Sequence, residues 1–481
     1  MQKYNQKIGF ILLIFCVSHI SLQAQDLLWS NPTKLRGGAP FMKVLGENKS
    51  GTFLMRYRNQ NYTKSIILDR FDANLNLELS TYIDLKKSKL HKVQLTPQGI
   101  LIITTQKNKR EKKYVLMGQW YNFDLIPISQ KIPLINYEKI ELNSQQILIQ
   151  MNDSLNTLGV CYLNYEDTQC ILKGRLFNMS LEPLQDMSFS ISSLASNTLH
   201  DMILTNQNIM TIHTSTIQNL ENKPKEHSLI ILDSDTASIF PFPDSISIGS
   251  STLIYHREKD EAHWIGFYNQ LGQYGYRGII HVEPQQKTKT FQTSITPFPL
   301  TWTESLQSGA LSSQTIDEDF SIIASIPKSD GGLLIIAEQK DWFKENDINV
   351  INGISQSTVK NIYKFNGILV MDFDQGLSPS WHHHIVKNQI SINDGGYFSS
   401  AALYVSQHYI QLLYNDQFRS SGDVLQYTIY NNGSTKSQKI AKLALEYVAI
   451  IPEGSLQVNA QEVVIPSYKN RRFSLLKIRY Y

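Results

Sequence analysis

The chain reads as an all-β protein, a β-propeller of about seven blades, and three observations lead there. Short apolar runs alternate with polar turns through most of the sequence. No window of about twelve residues holds a helical period, so amphipathic helices are not expected. One two-strand unit recurs along the chain, as repeat architectures require.

The first segment stands apart from this pattern. Lys3 and Lys7 form a short basic start, 8–20 is apolar, and Ala24 offers a small residue for cleavage. This is the three-part pattern of a secretory signal peptide, and the apolar run is too short to span a bilayer. Residues 1–24 are therefore expected to be removed, placing the mature protein in the periplasm. Cys16 is preceded by bulky Phe15, which argues against lipidation. No later run is long and apolar enough for a transmembrane segment.

The formal net charge is +3, and loss of Lys3 and Lys7 leaves about +1. Such a balance speaks against a general nucleic-acid binder, which needs a basic face to displace counterions. The remaining residues, 25–481, are read as a single propeller domain with a long insertion at about 339–361. The open alternative is two unrelated β-sandwiches.

The repeat starts at a turn residue, enters an apolar strand, and ends a second strand on an aromatic residue or Leu followed by Asp or Asn. Its occurrences run from Gly51 to Asp72, Gln98 to Asn122, Gln146 to Asn178, Asn208 to Asp233, Ser251 to Asn269, Gly331 to Asp374 and His408 to Asn431. A continuous apolar run suits a strand buried on both faces. The Asp or Asn bonds its own backbone and tolerates the left-handed conformation, which turns the chain. The stretch 303–319 is rich in Ser, Thr and Gln and reads as a long connection. The final run, Phe473 to Tyr480, alternates like a strand and is expected to close the ring against the N-terminal blade.

Cys161 and Cys170 flank Tyr165 and Glu166, so a hairpin there would set them opposite each other as a disulfide; two separate thiols remain the alternative.

Few residues suggest chemistry. His382 and His384 share one face of a strand, but two ligands do not make a metal site, and no metal or cofactor is expected. Asp374, Gln375, Gly376 and Trp381 approximate the Asp-box of sialidase-type propellers, a structural turn. Glu338, Asp341, Glu345, Asp394 and Asp416 are carboxylates from which a glycosidase pair would have to come. Residues 107–113 form a basic loop. Trp342 and Phe343, inside the insertion, are the partner-binding candidates, since loop aromatics commonly anchor interfaces. No phosphate loop, nucleophile elbow or catalytic residue is assigned.

The run from Gly331 to Gln339, with Trp381, Lys387, Gln389, the run from Asn393 to Ser400, and Leu413, Tyr414, Asn415 and Asp416, resembles exported proteins of unknown function from Bacteroidota. The resemblance covers 331–416 and, loosely, the end, where Lys469, Asn470, Arg471 and Arg472 shorten that family's basic turn. It implies an envelope setting and brings no catalytic residues. Bacteria of this kind export proteins by a type 9 route whose cargo ends in a separate sorting domain. Here the last strand belongs to the body of the fold, so a resident protein is expected. The resulting expectation is a non-enzymatic interaction scaffold with a protein partner, docked on an outer-membrane complex such as the type 9 secretion assembly. The alternative is a glycan-binding or glycan-degrading propeller.

Overall fold

The computed structural model describes residues 25–35, 40–58, 64–86, 88–108, 113–137, 146–152, 154, 156–166, 169–191, 196–217, 226–234, 236–243, 245–285, 290–306, 315–351, 354–416, 423–442 and 449–481. The expected leader at 1–24 and the centre of the basic loop, 109–112, lie outside them.

The apolar runs pair as antiparallel meanders. Seven four-stranded sheets follow one another, at 41–84, 89–137, 147–191, 196–241, 246–297, 320–392 and 402–442. An eighth is built from 449–480 together with 25–29 and 33–34. These are blades 1 to 8 of an all-β propeller, one more than the recurring unit suggests.

The continuous apolar runs are explained by what lies on each face. In blade 2, Ile100 and Ile102 pack against blade 1, while Leu101 and Ile103 pack against blade 3. Every consecutive pair of blades shares such a seam. The last seam joins blade 8 to blade 1 through Val464, Phe473 and Leu475 against Met42, Val44, Leu54 and Phe71. The first strands of most neighbouring blades touch one another, as in blades 3 and 4 and blades 5 and 6, so they are innermost. The fourth strands, such as Leu77–Asp84 and Thr290–Pro297, alternate toward solvent.

The turn after the third strand recurs in one geometry. Asp72, Asn122, Asn178 and Asp374 each accept, through Oδ1, the backbone N–H four residues on. The left-handed residue is not the Asp or Asn, as the sequence suggested, but the leucine three residues later. Leu75, Leu125, Leu181 and Leu377 have φ of 60–64° and are buried. Left-handed backbone at a branched side chain costs roughly 1–2 kcal/mol, which burial of the leucine offsets. Asp374 and Gly376 thus belong to this structural turn.

Blade 8 was missed because it has no such turn. Its third strand, Arg472–Tyr480, runs to the chain end, and its outer strand comes from the other terminus. Gln25–Trp29 pairs with it from Gln25↔Tyr480 to Trp29↔Leu476, and Thr33–Lys34 continues the pairing. Between them the Ser30 N–H donates to the Leu475 carbonyl, and the Leu475 N–H donates to Ser30 Oγ. The C-terminal strand therefore pairs with an N-terminal strand inside its own blade, rather than with a separate N-terminal blade.

Two further expectations change. The stretch 303–319 begins inside a helix, Leu300–Leu306, and Trp302 of that helix and Ile316 pack into the seam between blades 5 and 6. In blade 3 the register pairs Cys161 with Gly174 and Cys170 with Tyr165. The two thiols share a face four rungs apart, roughly 13 Å by strand rise. That exceeds the reach of a disulfide, and no bridge joins them.

Deletion of Arg472–Tyr480 should leave the protein insoluble, because Phe473, Leu475, Leu476 and Ile478 are each at most 1% exposed. Ser30→Ala should fold but lose about 1–3 kcal/mol, since the buried Leu475 N–H loses its acceptor. Solubility and urea denaturation check both. A soluble, cooperatively folding truncation would contradict the closure.

Candidate functional site

The insertion in blade 6 is not a loop. Leu333–Ile351 and Ile354–Phe373 form one long hairpin that continues past the inner strand, whose last pair is Phe320↔Gln339. A register shift between Gln339 and Lys340 marks where the hairpin leaves the blade, as bulges do when they re-aim a strand. The fourth strand, Pro379–Ile392, accompanies it as far as Ile362↔Ile392.

On this ribbon Trp342 pairs with Tyr363 and Phe343 with Ile362, so the two aromatics face opposite sides. Trp342 is 60% and Phe343 37% exposed. Both are accessible, as expected, but a strand holds them. The face of Phe343 also carries Ile362, Ile390 and Ile392, and the latter two are exposed. Lys364 Nζ lies 4.7 Å from the Phe343 ring centroid. The ribbon thus exposes apolar area away from the blade seams.

The base of the ribbon is fixed by a buried ion pair. Lys387 Nζ donates to Glu338 Oε1 and, at 3.0 Å, to Gln389 Oε1, with both charged side chains fully buried. Burial lowers the Lys387 pKa, and the Glu338 carboxylate opposes that shift. Gln389 Nε2 donates to the Asn415 carbonyl, and Asn415 Nδ2 donates to the carbonyls of Phe398 and Ile450. The chain of bonds thus crosses from blade 6 through blade 7 to blade 8. The connection 393–401 lies along it, and the buried Tyr397 hydroxyl donates to the Met42 carbonyl of blade 1 at 3.0 Å. One segment therefore ties four blades together. Several residues that carry the sequence resemblance serve this structural network.

The other carboxylates form no hydrolytic pair. Glu338 is sealed in its ion pair. Asp341 and Glu345 are exposed on one face of a strand, roughly 13 Å apart by strand rise, beyond the separation that glycoside hydrolysis uses. Asp394 Oδ1 accepts the Gly396 N–H, and the Asp416 N–H donates to the Asp423 carbonyl. His382 and His384 do share a face, but His382 bonds Ser305 and lies against Trp302, whereas His384 sits by Phe320. His383 points the other way, to the Gly433 carbonyl.

A cluster that sequence spacing hides lies in blade 5. His263 pairs across strands with Ile254 and His281 with Ile265, which aligns His263, His281 and Glu283 on one face. His263 Nδ1 is 3.3 Å from His281 Nε2 and 3.9 Å from Glu283 Oε1. Burial first, then the neighbouring His256, pushes His263 down to about 2 and His281 to about 4. The only signal in the sequence is a polar residue at alternate positions in otherwise apolar strands.

No family model and no curated protein matches this chain. Solved structures do. The β-propeller domain of the Trilobed protease from Pyrococcus furiosus, described as having an open velcro topology, is 9% identical, with a TM-score of 0.37, over 85% of this chain and 97% of that one. The β-propeller domain of Cps50 (Swd1) from Myceliophteria thermophila is 7% identical, with a TM-score of 0.33, over 81% and 99%. Prolyl oligopeptidase B from Galerina marginata is 8% identical, with a TM-score of 0.40; 93% of this chain matches 56% of that one. No activity is carried over from any of them.

Glu338→Leu should cost about 3–5 kcal/mol by stranding the buried Lys387 ammonium, and Glu338→Leu with Lys387→Met should recover most of that loss. Urea denaturation measures both. A single-variant cost below about 1 kcal/mol would show that the pair is not a structural anchor.

Proposed function

We propose that this protein is a non-enzymatic interaction scaffold of the cell envelope, and that the blade 6 ribbon grips its protein partner. The observation that carries the reading is the projecting hairpin with exposed Trp342 and Phe343. A stable ring does not need this element. Aromatics that become buried on binding dominate interface energies, and a ribbon fixed at its base by Glu338 and Lys387 presents them with little ordering cost. The envelope setting rests on the secretory pattern of 1–24. Among the described residues no helix is long and apolar enough to cross a membrane, which leaves strands unaddressed. The narrower reading, a subunit docked on an outer-membrane export assembly of the type 9 kind, follows from that setting and from the sequence resemblance.

The test is a pull-down from detergent-solubilised envelopes with wild type and with Trp342→Ala/Phe343→Ala. Both side chains lie outside the blade seams, so the variant should melt within about 0.5 kcal/mol of wild type. It should lose a partner that wild type retains, and outer-membrane components should be prominent among what is lost. Equal recovery by wild type and variant would overturn the ribbon as the docking element. Binding or turnover on a polysaccharide panel would overturn the scaffold reading.

A further inference from the structure

We propose that His263, His281 and Glu283 form a zinc site at the end of blade 5, with Glu261 orienting the ring of His263. The ligand atoms all lie within 4.8 Å of one another. The measured separations, 3.3 Å between the two imidazole nitrogens and 3.9 Å from His263 Nδ1 to Glu283 Oε1, suit this ion. Tetrahedral zinc with bonds of about 2.0–2.1 Å holds its ligand atoms about 3.4 Å apart. Two imidazoles and one carboxylate favour zinc over the oxygen-seeking cations. Three protein ligands leave a fourth position for water.

The surroundings support the assignment independently. Both histidines are nearly inaccessible, at 1% and 4%, beside buried Ile265, Phe267 and Ile279 on the same face of the sheet. Two rings in contact share at most one hydrogen bond, and the remaining nitrogens, His263 Nε2 and His281 Nδ1, are buried without a hydrogen-bond partner. Glu261 Oε2 lies 3.5 Å from His263 Nε2, and Glu283 Oε1, from the proposed ligand, lies 3.5 Å from His281 Nδ1. With metal on Nδ1 of His263, its Nε2–H faces Glu261, the relay that fixes tautomer and ring orientation at metal-bound histidines. The side chains of Glu261 and Glu283 are 28% and 32% exposed, which provides an entry path. His256, whose ring centroid is 4.1 Å from that of His263, closes the remaining side from the first strand.

The contrast within the molecule is informative. His382 bonds Ser305 and lies against Trp302, while His384, whose Nε2 has no hydrogen-bond partner, packs by Phe320, and no carboxylate joins this pair. It serves as the control.

The experiment uses tag-free mature chain, stripped with a chelator and titrated with zinc chloride in competition with a chromogenic chelator. Wild type should take up one equivalent and melt at a higher temperature with zinc. His263→Gln/His281→Gln should lose that uptake, and His382→Gln/His384→Gln should keep it. Uptake by wild type no greater than by the His263→Gln/His281→Gln variant would overturn the site and leave a buried histidine pair. Should that variant fail to fold, Glu283→Gln decides, since its side chain is partly exposed. At least about tenfold weaker zinc binding is expected there, and unchanged affinity overturns the proposal.

Discussion

The pairing of Gln25–Trp29 and Thr33–Lys34 with Arg472–Tyr480 is the constraint on which the rest of the structure depends. Each blade is too thin to hide both of its faces and relies on a neighbour to do so. Eight seams therefore form a cycle, and the cycle closes only if blade 8 exists as a sheet. Blade 8 draws its outer strand from Gln25–Trp29 and Thr33–Lys34, so these residues and Arg472–Tyr480 are held together by main-chain hydrogen bonds. Polar contacts support the same seam. Lys477 of blade 8, nearly inaccessible, meets Glu47 of blade 1 at 2.7 Å, and the Arg56 guanidinium of blade 1 lies 4.6 Å from the Phe473 ring centroid.

The features outside the seams are positioned by that ring. The blade 6 ribbon leaves at a register shift, beside the connection that ties blades 6, 7, 8 and 1 together through Gln389, Asn415, Ile450 and Tyr397. A protruding hairpin of two strands is marginal in water by itself. Here a third strand and a buried ion pair hold its base. The blade 5 histidines sit beside the turn between the first two strands, whereas the ribbon extends from the turn between the second and third. In an antiparallel meander those turns lie at opposite ends of the blade, so the two features belong to opposite faces of the ring.

The architecture was legible because a strand buried on both faces must read as an unbroken apolar run, and such runs mark the middle strands of blades 1, 2, 4, 6 and 7. The unit slipped by one strand in blade 5, and in blade 3 its start did, since Ser251 and Ile147 belong to inner strands. The eighth blade was hidden because closure is a long-range pairing without a local turn. Trp342 and Phe343 were legible as exposed aromatics, but their strand was not, since Lys340 to Asn349 is polar and alternates as a loop does in composition. The pairing of Lys387 with Glu338 and of His263 with His281 depends on register across strands, which spacing along the chain does not reveal. The cysteine expectation failed for the same reason, by a hairpin turn placed two residues too early.

Native-state hydrogen exchange tests the closure most directly. If the two termini complete one blade, the amides of Leu476 and Ile478 in blade 8 should exchange only through global unfolding, with the same free energy as those of Ile230 and Leu412 in blades 4 and 7. Exchange of the blade 8 amides through a separate, lower-energy opening, with the other blades still protected, would contradict the account.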